Sequence, residues 1–154
     1  MVIASDKQLL IDILSDDQKC IETFFRIPHK DPKIGLVPFI LKKHQLKVLD
    51  AMNKYRRVFV IKPRQVGITS IVSAVLLKRT MYREYVNALT MAHKSDVTER
   101  IFKKTTVFYN GIPEAIRVKM DGDSRTYKEF SSIGSSYYIE TAGSKTSGRS
   151  NTVS

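Results

Sequence analysis

Apolar positions along the chain fall into blocks whose period changes. Leu9, Leu10, Ile13 and Leu14 recur at helical spacing behind Ser5, a residue suited to an N-cap. A second helical stretch is expected from about Asp16 to Phe25, then a turn-rich connection marked by Pro28, Asp31, Pro32 and Gly35. Val37-Pro38-Phe39-Ile40-Leu41 leads into a helix from about Lys43 to Met52. Residues 56–61, ending in Val58-Phe59-Val60-Ile61, read as a first buried strand, and residues 69–83 as the helix after it. Val86 to Ala92 reads as a second buried strand. Residues 95–109 read as a helix with Val97, Ile101, Phe102 and Thr105 on one side, ended by Asn110-Gly111 and Pro113.

Asp121-Gly122-Asp123 is expected to turn. Arg125 to Phe130 and Ser136 to Thr141 form a predicted hairpin around Ser-Ser-Ile-Gly-Ser. Residues 142–154, rich in Gly, Ser and Thr, read as a loop. Strands alternating with helices predict an α/β fold with a parallel sheet and an added hairpin on one side. Residues 1–36 are expected to form a helical leader and residues 37–154 the main domain.

Composition narrows the class. The 154 residues suffice for one core, and 42% are hydrophobic, as in a globular chain. No apolar run approaches the ~20 residues of a membrane span, and the N-terminus lacks the pattern of a signal peptide. The single Cys20 excludes an internal disulfide and makes a cysteine-based zinc site implausible. A cytoplasmic location is the expectation. Lys and Arg number 26 against 15 Asp and Glu, a net charge of +11 that points to a polyanionic partner. The charges come as doublets with no run of five, so a basic tail is excluded.

Residues 62–70, Lys-Pro-Arg-Gln-Val-Gly-Ile-Thr-Ser, carry the most chemistry. Strand, polar loop and helix is the geometry of a phosphate-binding loop. In G-x-x-x-x-G-K-[ST], backbone N–H groups cradle phosphates, the lysine reaches the β/γ oxygens and the hydroxyl binds Mg²⁺. Gly67 stands at the second glycine and Thr69 at the hydroxyl position, while Ile68 takes the lysine position and Lys62 the first glycine. The helix beginning near Thr69 would supply the anion site. Taken alone, Gly-x-Thr is more often an ordinary strand-to-helix turn. His29, His44 and His93 have no metal-ligand spacing, Asp121 and Asp123 start no calcium loop, and Gly-x-Ser-x-Gly is absent.

The order of several segments resembles the N-terminal ATPase domain of the phage DNA-packaging terminase large subunit. These are Cys20-Ile21-Glu22-Thr23-Phe24-Phe25, Val37 to Leu41 with His44-Gln45, Arg64-Gln65-Val66-Gly67, Thr90-Met91-Ala92-His93, and residues 144–154 with Arg149. The resemblance covers residues 20 to 154. It implies a P-loop NTPase of the RecA-like type, using ATP and Mg²⁺, in which a front-of-loop Lys62 and an apolar residue 68 mark a subtype. By position, it implies that Gln45 reads the adenine edge and Lys62 contacts the β/γ-phosphates. Gln65, Val66, Gly67, Ile68 and Ser70 line the nucleotide, and Thr69 ligates Mg²⁺. Arg64 senses the γ-phosphate, with Arg149 a weaker candidate for the same role.

Double-stranded DNA, a terminase small subunit and a portal protein are the implied partners. The family's carboxylates, which end an apolar strand in Asp-Glu, have no counterpart, and neither Glu99 nor Glu140 ends such a run. An incomplete fold lacking the family's nuclease domain, with weak or no turnover, is therefore the expectation. Two rival classes stand beside it. One is the RecA-like domain of another nucleic-acid-dependent ATPase such as a helicase. The other is a non-catalytic DNA-binding or assembly module.

Overall fold

The computed structural model describes residues 2–124 and 126–143. Two helices open the chain, α1 (Val2–Ser15) and α2 (Asp17–Phe24). Helix α1 begins ahead of the expected Ser5 cap. Asp16 caps α2 by accepting from the Lys19 N–H at 2.8 Å. Residues 26–38 make a small antiparallel hairpin, β1 (Arg26–Pro28) with β2 (Leu36–Pro38), where only a turn-rich connection was expected. Then come α3 (Lys43–Lys54) and α4 (Ile68–Tyr82), β3 (Asn87–Ala92) and α5 (Ser95–Asn110). The chain continues through β4 (Gly122–Ser124), β5 (Tyr127–Phe130) and β6 (Ser135–Thr141).

The fold is α/β, with a mixed four-stranded sheet in the order β3-β6-β5-β4. Only β3 and β6 run parallel, with Ala88 opposite Tyr137 and Thr90 opposite Ile139. The expected hairpin forms as β5 and β6, turned by a short 3₁₀ segment and by Gly134 at φ 63°. It is no appendage, because β6 pairs with β3 and forms the middle of the sheet. The expected turn at Asp121-Gly122-Asp123 is in part strand: Gly122 and Asp123 lie in β4 and pair with Glu129 and Lys128.

Helix α4 is the hub. Ile71, Ala74, Val75, Leu77 and Met81 are fully buried, and the helix packs on α2, α3, α5 and the sheet. Phe108 of α5 stacks between Phe25 and Phe39, with ring centroids 5.2 Å and 5.6 Å away. Cys20, Ile21 and Phe25 are completely buried. The second half of the expected leader is thus part of the same core as the helices that follow it. Helices α4 and α5 cover the sheet face carrying Ala88, Ala92, Tyr137, Ile139 and Phe130. Leu89 and Met91, alternating with them on β3, are exposed.

The largest departure from expectation is at residues 56–61. They form no strand and pair with no other described strand, and β3, expected to be buried, is an edge strand. Phe59 and Ile61 are 90% and 89% exposed, Val58 and Val60 39% and 38%. The alternation of a strand is present, but an extended segment is buried only when neighbours cover its faces and its edges are paired. Among the described residues nothing pairs with it.

No helix among the described residues is long and apolar enough to cross a membrane. Cys20 is free, and burial pushes its thiol up to about 11, so it stays protonated at neutral pH.

Candidate functional site: the loop before α4

The loop is shaped by two left-handed residues. Gln65 has φ 64° and Gly67 has φ 75°, with Val66 between them and α4 starting at Ile68. Positive φ is the favoured habit of glycine and a strained one for glutamine. A backbone that alternates in this way turns successive N–H groups toward a common concavity, the arrangement that holds anions. Gly67 is the N-cap of α4. Its carbonyl accepts from the Ser70 and Ile71 N–H groups at 3.1 and 3.2 Å, while the Ile68 and Thr69 N–H groups ahead of them have no backbone acceptor among the described residues. The positive end of a 15-residue helix therefore coincides with the mouth of the loop.

Two consecutive side chains of α3 brace this loop from behind. His44 Nε2 donates to the Val66 carbonyl at 2.7 Å, which fixes the proton on that nitrogen. Gln45 Nε2 donates to the Gly67 carbonyl at 3.2 Å, and Gln45 Oε1 accepts from the Lys42 N–H at 2.9 Å. Gln45 is only 4% exposed. Both ends of the amide expected to read a base are thus engaged inside the protein, and base reading from this conformation requires an exchange of those bonds. A Cβ on Gly67 would lie 2.5 Å from Gln45 Nε2, so the close approach of helix and loop needs glycine as much as the positive φ does.

The other expected residues divide by direction. Lys62, Arg64, Gln65 and Thr69 are exposed around the loop, whereas Ile68 is buried in the core beneath it. Position 68 faces the interior, which gives an apolar residue there a packing role. Among the described residues Lys62 and Arg64 form no ion pair, so both are available to an anion. Ser70, in the first turn of α4, accepts a 2.7 Å hydrogen bond from Lys104 Nζ on α5. Arg149 and the rest of residues 144–154 lie outside the described residues. Glu99 is an exposed α5 side chain 2.7 Å from Lys103, and Glu140 lies on β6 with its carbonyl accepting from Thr98 Oγ1.

No family model and no curated protein matches this chain. The functional reading therefore rests on the loop itself. Two clefts of about 280 and 310 Å³ lie away from it, one beside Asp16, Asp50 and Asn53, the other between Met52, Tyr55, Val60 and Val72. Neither brings together the chemistry that the loop does. Among the described residues no group of three or more His, Cys, Asp or Glu side chains is placed to hold a metal ion. Thr69 is the residue on this loop suited to meet an Mg²⁺ that arrives with a nucleotide.

Sequence reasoning located the loop but not its braces. His44 and Gln45 lie 22 residues from their acceptors, and Lys104 lies 34 from Ser70. Only the packing of α3 and α5 against α4 reveals them.

Proposed function

We propose that residues 62–70 bind the phosphates of ATP with Mg²⁺, and that the chain is the N-terminal nucleotide-binding part of a DNA-packaging motor of the terminase type, with a P-loop NTPase fold. The observation that carries the reading is the pair of positive-φ residues, Gln65 and Gly67, set directly against the N-terminus of α4. Backbone N–H groups and helix dipole make the anion cradle. Lys62 and Arg64, exposed and without ion pairs among the described residues, supply the mobile positive charge that residue 68 cannot. Thr69 offers its hydroxyl to the metal. Arg64 is the candidate for sensing the γ-phosphate.

Binding and turnover separate in this reading. Activating water and holding Mg²⁺ through the reaction call for carboxylates. Among the described residues no carboxylate is bonded to Lys62, Arg64 or Thr69. The chain is expected to bind nucleotide weakly and to hydrolyse it slowly or not at all. Steady-state phosphate release that Lys62→Ala abolishes would overturn the second half of that statement.

Two observations favour a second reading, a non-catalytic DNA-binding or assembly module. The Gln45 amide is occupied within the protein, and a net charge of +11 needs no nucleotide to attract DNA. Under either reading double-stranded DNA is a partner held through its phosphates. Its affinity should fall steeply between low and physiological salt. A flat salt dependence in a filter-binding or anisotropy assay argues against both.

A further inference from the structure

We infer that Lys104 is a second phosphate-contacting cation of the loop before α4, delivered from α5 and aimed through Ser70. The inference rests on the nucleotide reading above and adds a residue that the loop sequence does not contain.

The geometry comes first. Lys104 Nζ donates to Ser70 Oγ at 2.7 Å. Ser70 sits three residues after the N-cap Gly67, in the first turn of α4, where the Ile68 and Thr69 N–H groups have no backbone acceptor among the described residues. An ammonium carries three donors and Ser70 uses one, so two remain for an anion. Having accepted from Lys104, the Ser70 hydroxyl keeps its own proton to donate. Lysine and serine together thus present donors and no charged acceptor.

The electrostatics points the same way. The other two lysines that are not exposed among the described residues each have a carboxylate: Lys78 meets Asp17 at 2.8 Å and Lys128 meets Asp123 at 3.0 Å. Lys104 is half-buried and has no ion pair among the described residues. Its nearest charged influence is Arg100, one turn back on α5, which carries the same sign. Burial first, and Arg100 second, hold its pKa below the ordinary value. A cation partly removed from water beside the positive end of a helix is unfavourable by itself, and a polyphosphate at the loop mouth would neutralise it. A lysine at position 68 could not serve this purpose, since that position faces the core.

The test is a calorimetric titration of the full chain with ATP·Mg²⁺ and, separately, with inorganic tripolyphosphate, which carries no base. Lys104→Met is expected to weaken both by roughly ten- to a hundredfold, the scale of one charge-assisted hydrogen bond. Lys104→Arg is expected to retain most of the affinity. Binding to the unaltered chain should also fall more steeply with salt than binding to Lys104→Met, a difference that a merely structural lysine would not produce. Should Lys104→Met fail to fold by circular dichroism, Ser70→Ala reads the same contact and is expected to weaken tripolyphosphate several-fold.

The outcomes separate the two claims. Binding to the unaltered chain that neither Lys104→Met nor Ser70→Ala weakens overturns the role of Lys104 and leaves the nucleotide reading standing. No binding of either ligand to the unaltered chain overturns the reading, and the inference with it.

Discussion

Gln45 Nε2 donates to the carbonyl of Gly67 across 3.2 Å, and that carbonyl is also the N-cap acceptor of α4. One oxygen ties three things together: helix α3, the candidate phosphate loop and the start of the central helix. The position of the loop is therefore set by the core and not by the loop's own residues.

Gly67→Ala tests this tie. The substitution places a Cβ 2.5 Å from Gln45 Nε2 and forces alanine to φ 75°. A left-handed non-glycine residue costs about 1–3 kcal/mol, and displacing a doubly bonded buried amide adds to it. The variant should lose several degrees of melting temperature and its nucleotide binding. In Gln45→Ala the clash is removed but the backbone strain stays. A double-mutant cycle in urea should thus show the two changes coupled, and strictly additive losses would contradict the contact.

Asp17 anchors α2 to α4 by receiving Lys78 at 2.8 Å and Arg79 at 2.7 Å, with Lys78 almost fully buried. Burial works to raise its pKa, and the hydrogen bonds and charges of Lys78 and Arg79 outweigh that, leaving it below the ordinary 3.8. A carboxylate with a depressed folded-state pKa contributes stability above its unfolded pKa. That contribution is lost as pH falls through the folded value. Urea midpoints should hold between pH 7 and 5 and drop below about pH 4. Asp17→Asn should remove this part of the acid sensitivity and, by stranding the Lys78 charge, destabilise by about 3–5 kcal/mol at pH 7.

Lys128 behaves differently. It is wholly buried, bonded to Asp123 at 3.0 Å and Thr106 at 2.9 Å, and lies 4.0 Å from the Phe102 ring centroid. Desolvation lowers its pKa against the pull of Asp123. With the unfolded chain holding its proton more tightly, stability should rise as pH climbs from the folded value toward the unfolded one. The Asp123 side chain is 40% exposed, so removing Lys128 leaves a hydrated carboxylate and no stranded buried charge, and an apolar side chain of similar size fills the site. Lys128→Met should match or exceed the parent's stability at pH 7 in chemical denaturation, and a loss above about 2 kcal/mol contradicts this.

The exposure of residues 56–61 has a direct consequence. Phe59→Ser and Ile61→Thr should leave the melting temperature within about 2 °C of the parent, since surface changes stay near ±0.5 kcal/mol. They should also raise solubility by shrinking an apolar patch. A buried phenylalanine in a strand would instead cost about 3–5 kcal/mol when truncated. A large fall in melting temperature would show these residues to be packed.

Much of the helical framework was legible in the sequence, because the helical period is local. The stretch from about Asp16 to Phe25 and the apolar pattern from Ile71 to Leu77 mark α2 and α4 without reference to anything distant. Residues 56–61 were misread for a related reason: a continuous apolar run records a tendency to be buried, not the presence of a strand to pair with. The Asp121-Gly122-Asp123 turn was overridden by hairpin pairing with Glu129 and Lys128. At the site, Gly67 could be singled out from its place in the motif. That Gln45 spends its amide on Lys42 and Gly67, and that Ile68 points inward, depends on how α3 and α4 meet.

The measurement that bears most directly on the account is a titration of ATP·Mg²⁺ into the chain and into Lys62→Ala, followed by calorimetry at low salt. The account predicts saturable binding to the unaltered chain, weakened at least about tenfold when the Lys62 charge is removed, the scale of one charged hydrogen bond. No saturable binding at millimolar nucleotide would contradict it, and binding indifferent to Lys62→Ala would remove that lysine from the site.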